Sequence, residues 1–178
     1  MTRDLTHDDL PYRSCVGVVL FNKQGDVWLG KRQWTHDPEH REPNHLWQWP
    51  QGGIDKGEEP LAAAKRELYE ETSVSSISLI AEVPDWLNYD LQKEMLGIGL
   101  KGKYRGQTQR WFAFLFEGED SEINVKAPGG GAHPAEFSEW RWGTLEEAPD
   151  LVVPFKRDVY EKVVANLQSV RATLATKS

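Results

Sequence analysis

Sulfur is scarce in this 178-residue chain: one cysteine, Cys15, and two methionines. A single cysteine excludes an internal disulfide, and its place at the head of the apolar run CVGVVLF makes it a small core residue and a poor nucleophile, in a chain that fits a reducing compartment. Long apolar stretches are also missing: none approaches the roughly 20 residues that span a bilayer. The opening MTRDLTHDDLPYR has neither an apolar h-region nor an Arg-rich amphipathic pattern, so a cytoplasmic location without membrane contact is expected. Positive charge is in deficit, with 21 Lys and Arg against 28 Asp and Glu and a formal net charge of −7. This argues against DNA or the body of an RNA being gripped by a broad basic surface, but leaves room for a polyphosphate end held through a metal and a few local cations. No internal repeat and no midpoint shift in composition divides the chain, which reads as one domain over 1–178 with its core at about 12–170.

What is present begins with eight Trp, which serve packing and nucleobase stacking alike. CVGVVLF reads as a buried strand, NKQGD as a tight turn, and VWLGKR as the partner strand of a hairpin. Residues 34–46 are polar, with two prolines, and read as a long surface loop on which His36, His40 and His45 are surface residues. A helix begins at about Pro60, whose missing N–H suits the first helical position. ISLIAEV, WLNYDL, TQRWFAFLFEG and FSEWRW read as strands, GGG at 129–131 as a flexible loop, and RATLATKS as a frayed tail. Phe155, Val159, Val163, Leu167 and Val170 mark the apolar face of a C-terminal helix. Strands and helices mix without regular βαβ alternation, which predicts an α+β fold, a mixed sheet covered by helices in sandwich form.

The segment WPQGGIDKGEEPLAAAKRELYEET, residues 49–72, gathers six acids. On the helix, Glu67, Glu70 and Glu71 fall within about a third of the circumference, beside a core stripe of Leu61, Ala64 and Leu68. Like charges three and four residues apart each destabilise a helix by roughly 0.2–0.5 kcal/mol, and these sit toward its C-terminal end, where the macrodipole disfavours anions. A solvated acidic face is one explanation. A divalent cation is another: Mg²⁺ or Mn²⁺ takes hard oxygen ligands and bridges carboxylates to substrate phosphates. The preceding QGGIDKG offers a backbone able to approach anionic oxygens closely.

Gly52, Glu58, Arg66, Glu67, Leu68, Glu70, Glu71 and Val74 stand at the spacings of the Nudix box, and the chain resembles the Nudix hydrolases. Ser73 departs from that pattern, standing where the box has a glycine in a left-handed cap; keeping that conformation should cost about 1 kcal/mol. The resemblance runs from about residue 12 to 165. It is to the branch with bacterial RNA pyrophosphohydrolases and dinucleoside polyphosphate hydrolases, carried by YRSCVG, WQWPQGGIDKGE, WLNYDL, GQTQRWF, EGEDSEINV, EFSEWRW and PFKRDVY.

The resemblance implies an α/β/α sandwich whose loop-helix-loop holds divalent metal, Mg²⁺ with Mn²⁺ or Zn²⁺ as alternatives. It implies that Glu67, Glu70, Glu71 and Glu122, with the Gly52 backbone, bind the metal, and that these four acids are the catalytic set. Glu58 and Arg66 are implied to be a loop-fixing ion pair, and Arg13, Arg32, Tyr89, Phe155 and Lys156 to contact the substrate. Read from the residues alone, Glu122 belongs to a solvated acidic run, and Phe155 fits the helix core stripe equally well. Gln109 and Arg110 are expected near the site, and of Trp111 and Phe112, which point to opposite faces, one at most can meet a ligand. The implied reaction is removal of pyrophosphate from 5′-triphosphorylated RNA, with diadenosine tetraphosphate hydrolysis as the alternative and a catalytically silent nucleotide-binding regulator as a reading of another class. A monomer is the default expectation, and the acidic charge predicts weak affinity for RNA without a terminal polyphosphate.

Overall fold

A computed structural model describes residues 4–33 and 43–177. Within them, strands β1 (Tyr12–Phe21), β2 (Val27–Arg32), β3 (Trp47–Gln48), β4 (Gln51–Gly53), β5 (Ile77–Glu82), β6 (Leu87–Asp90), β7 (Gly106–Phe116) and β8 (Phe137–Gly143) form one mixed sheet. Helices α1 (Pro60–Thr72), α2 (Ala148–Leu151) and α3 (Arg157–Lys177) cover it. No helix of the described residues is long and apolar enough to cross a membrane. His36 and His40 lie outside the described residues, and His45 is half-buried.

The spine is the parallel pair β1–β7, in register from Tyr12 opposite Gly106 to Phe21 opposite Leu115. Alternation along both strands sorts the apolar side chains into two cores. Val16, Val18, Leu20, Phe112, Phe114 and Phe116 pack with Ala63, Ala64 and Leu68 of α1. Val19, Phe21, Trp111 and Ala113 pack on the other face with Val159, Tyr160, Val163 and Leu167 of α3. Trp111 and Phe112 are therefore both core residues. Trp49 stacks on Tyr160 at 4.3 Å and 10°, Trp111 meets both edge-on at 5.6 Å, and the Trp49 amide donates to the Tyr160 hydroxyl at 3.0 Å. Gly17 makes this possible, because a Cβ there would stand 2.5 Å from the Trp111 ring.

Both spine strands share out their outer edges. β4 pairs antiparallel with β1 at Cys15–Gly17, while β2 meets β1 at Phe21 opposite Val27. On the far side β6 takes Gly106–Gln109 of β7 and β5 takes Phe112–Phe116. The expected hairpin thus has its turn, held by the Asn22 side chain accepting from the Gln24 and Asp26 amides, but its second strand diverges to run with β8. The splaying opens a cleft at the N-terminal ends of β1 and β7.

Two further expectations change. The glycine run is not a loose loop: Pro128–Gly131 forms a 3-10 turn against α1, with Gly129 and Gly130 at φ of 62° and 71°. The tail is helical to Lys177, since Val170 and Leu174 pack on the α3-side core and the Gly25 turn lies close against Arg171 and Ala175. Cys15 is fully buried, and burial pushes its thiol up to about 11, so it is protonated at neutral pH. Accordingly, a disulfide-exchange reagent at pH 8 should leave the native protein unlabelled and should titrate one thiol per chain after denaturation.

Candidate active site

Pro60 opens α1 and Ser73 closes it, so the box residues ride on thirteen helical residues anchored by Ala63, Ala64 and Leu68 in the core. Arg66 is the hub. Its guanidinium donates to both oxygens of Glu58 at 2.8 Å, to Glu67 Oε1 at 2.9 Å, to Glu70 Oε2 at 3.2 Å and to the Gly53 carbonyl at 2.9 Å. The Arg66 bonds lower the Glu58 carboxyl to about 2 and raise the arginine itself. This fork binds the 53–58 loop to the helix and partly neutralises three carboxylates at once.

Glu67 reaches past its helix to lie against Gly52, where a Cβ would stand 2.0 Å from its carboxyl carbon. Burial, with Glu70 and Glu136 adding repulsion, raises Glu67 to about 7 against the pull of Arg66. Glu71 is 3 % exposed and raised well above the carboxylate range by burial and then by Glu136 and Glu67; its Oε2 has no hydrogen-bond partner among the described residues. Glu70 is only partly buried and stays on Arg66.

Glu136, which the sequence reading missed, brings a further acid to this group from the chain just before β8. Glu122 does not reach it. Burial works against its ionisation, yet hydrogen bonds from Ser76 and Ser75 hold its carboxyl low, and it accepts from both amides at 3.1 Å and from the Ser76 hydroxyl at 2.5 Å, beyond the C-terminal end of α1. The available signal was positional: Glu136 immediately precedes Phe137, at the start of a strand that runs along β2.

Glu67 and Glu136 line a cavity of about 240 Å³. Arg13, Arg32 and Lys156 line it too, with Gln51, Gln107 and Tyr89. Arg13 lies flat on Gly53, where a Cβ would come within 2.4 Å of its Nη2. Lys156 is 2 % exposed, its Nζ 5.8 Å from the Tyr89 ring centre and 5.9 Å from that of Phe155. Phe155 lies in the 3-10 turn Pro154–Lys156 just before α3, packs on Tyr89 at 5.4 Å and is partly buried against the α3-side core; it is not among the residues that line the cavity. Gln109 joins Gln51 and Gln107, whereas Arg110 turns away to the Pro84 carbonyl and Glu82. A polyphosphate-sized space lined by Glu67 and Glu136 together with Arg13, Arg32 and Lys156 is suited to anionic oxygens bridged to carboxylates by a cation.

The NUDIX domain family matches residues 11–163. The chain belongs to the NUDIX family. It is 57 % identical over 164 residues, 92 % of this chain and 94 % of the relative, to an RNA pyrophosphohydrolase of Mesorhizobium japonicum. It is 58 % identical over 161 residues, 90 % and 96 % of the two chains, to one of Rhizobium meliloti. Among solved structures, a C. elegans Ap4A hydrolase complex superposes with a TM-score of 0.59 at 20 % identity, covering 88 % of this chain and 98 % of that one, which supports the fold. As a NUDIX hydrolase the protein is a pyrophosphohydrolase of a kind that uses divalent metal.

The acids of this NUDIX site fit such an ion by their chemistry: Glu71 keeps an unsatisfied buried oxygen, Glu67 and Glu136 lie beside it, and Gly52 leaves room for the Glu67 carboxyl. Among the described residues no three His, Cys, Asp or Glu side chains already stand at mutual ligand spacing, and Glu67 and Glu70 are held on Arg66. The NUDIX helix ends as the sequence predicts, Ser73 taking φ 68° and ψ 5°. Its hydroxyl donates to the Asn124 carbonyl at 3.2 Å and accepts from the Gly129 amide at 2.9 Å, which offsets the left-handed strain. Ser73→Ala keeps the strain and loses both bonds, so chemical denaturation should show a loss of about 1–2 kcal/mol, against less than about 1 kcal/mol for Ser73→Gly. Gly52→Ala displaces the far end of Glu67, and should cut turnover by about a hundredfold while barely moving Tm.

Proposed function

We propose that the protein removes pyrophosphate from the 5′-triphosphate end of RNA, leaving a 5′ monophosphate. Water adds to phosphorus and the bond between the α and β phosphates breaks. The observation that carries the reading is the cavity itself, where Glu67 and Glu136 share one space with Arg13, Arg32 and Lys156. Two relatives named RNA pyrophosphohydrolase, alike over nine-tenths of the chain, support the RNA end over other polyphosphates.

Glu67, Glu70, Glu71 and Glu136, with the Gly52 backbone beside Glu67, are the groups that would hold the metal. The cavity lining offers these acids oxygen donors and no histidine or cysteine among the described residues, which suits Mg²⁺ or Mn²⁺ better than Zn²⁺. When bound, such an ion neutralises phosphate oxygens and lowers the pKa of a coordinated water. Arg13 and Arg32 balance the charge of the triphosphate, and Lys156 does so from a buried position where water screens it little. Tyr89, with Phe155 packed on it, offers an aromatic wall to the first nucleotide. Glu58 and Arg66 act indirectly, by aiming the carboxylates.

The test is kcat/KM measured side by side on 5′-triphosphate RNA, diadenosine tetraphosphate and free nucleoside triphosphates, with the RNA expected to lead. A lead by diadenosine tetraphosphate overturns the substrate assignment and leaves the chemistry. Glu136→Gln should lower kcat by about a hundredfold or more. Glu122→Gln should keep turnover within a few fold while lowering Tm by about 2–6 °C, as expected of a carboxylate that ties a loop.

A further inference from the structure

Beneath the cavity runs a chain of side-chain amides that the proposed chemistry does not use. Trp111 Nε1 donates to Gln109 Oε1 at 3.1 Å, and Gln109 Nε2 donates to Gln107 Oε1 at 2.8 Å and to Gln51 Oε1 at 3.4 Å. Gln109 is 1 % exposed and Gln107 5 %, while Gln51 and Gln107 line the cavity. An indole nitrogen is a donor with no acceptor capacity, so the amide facing it must present oxygen. Each later orientation then follows: Gln109 turns its NH₂ outward, and Gln51 and Gln107 must each meet it with oxygen. Reversing Gln107 would set two NH₂ groups against each other in a buried place, at the cost of an unsatisfied donor, while the partly buried Gln51 contact at 3.4 Å is held less tightly. The end of each amide left for the cavity is therefore nitrogen.

We infer that Trp111 and Gln109 are positioning residues that lock the Gln51 and Gln107 amides with their N–H donors toward the anionic oxygens of the substrate. This deepens the reading of the cavity as a polyphosphate site and rests on it. The relay is placed to last. Trp111 is fully buried between Trp49 and Tyr160, so its indole N–H keeps one direction, and neutral donors add direction to the diffuse pull of Arg13 and Lys156 without more charge. In this arrangement a core aromatic governs how the phosphates are read while standing outside the cavity lining.

The experiment uses inorganic triphosphate as probe, with and without Mg²⁺, on ¹⁵N-labelled protein. The side-chain NH₂ signals of Gln51 and Gln107 should shift on titration while that of Gln109 stays. Gln107→Met and Gln51→Met, which keep size but lose the donor, should each weaken triphosphate binding roughly tenfold or more. Trp111→Phe should weaken it roughly threefold and broaden both NH₂ signals as the amides begin to flip. Leu167→Ala, a cavity in the same core, should lower Tm without changing the affinity, which separates positioning from general loosening. Unmoved NH₂ signals, or wild-type affinity in both methionine variants, would overturn the proposal. If the unmodified protein bound triphosphate with these shifts yet left triphosphate RNA intact, the relay would stand and the RNA assignment would fall.

Discussion

Glu58, Glu67, Glu70, Glu71 and Glu136 cannot share a small, half-dry space unless something opposes their repulsion, and in this protein that something is first of all Arg66. One planar guanidinium reaches Glu58, Glu67, Glu70 and the Gly53 carbonyl, and so carries mechanical load as well as charge. It joins the loop before α1 to the helix and holds two of the helix acids in place. Glu71 lies out of its reach and is the acid whose ionisation burial and Glu136 oppose most. An added cation is worth most where the native charge balance is least complete.

The scaffold around this cluster follows from how the spine strands divide their edges. β4 pairs with β1 at Cys15–Gly17 and β6 with β7 at Gly106–Gln109, and Arg13 and Gln107, near the starts of the two spine strands, line the cavity. Close approach then depends on what is missing. Gly52 admits Glu67 and Gly53 admits the Arg13 guanidinium, on opposite sides of the same short strand. Behind them the Trp49, Trp111 and Tyr160 cluster supplies stiffness, since interlocked rings offer few alternative packings.

Much of the architecture was readable in the chain. The bounds of β2, the start of α1 and the apolar face of α3 follow from local pattern, because burial of one face imposes a period on a strand or helix wherever it packs. Pairing partners were not readable: VWLGKR looks like the return strand of a hairpin, and its choice of β8 depends on residues more than a hundred positions away. The same limit explains which distant acid lies beside Glu67 and Glu71. Glu122 and Glu136 are both carboxylates in polar surroundings, and family likeness pointed to Glu122; the loop amides of Ser75 and Ser76 hold Glu122 aside, while the pairing of β8 with β2 carries Glu136 in. Ser73 shows both sides at once. Its left-handed conformation was foreseeable from the box, whereas the two hydrogen bonds that stabilise it come from residues 124 and 129.

By itself, then, the sequence determined the chemistry on offer: a run of acids at helical spacing, an arginine among them, glycines before them, and too little positive charge for any but a local hold on an anion. These are properties of neighbours along the chain, set by helix period and side-chain type. Which acids meet, which amide ends face the cavity and which tryptophans stay in the core were decided only when distant strands paired. Distance in space between residues far apart in sequence is fixed by the packing of the whole, and no local pattern encodes it.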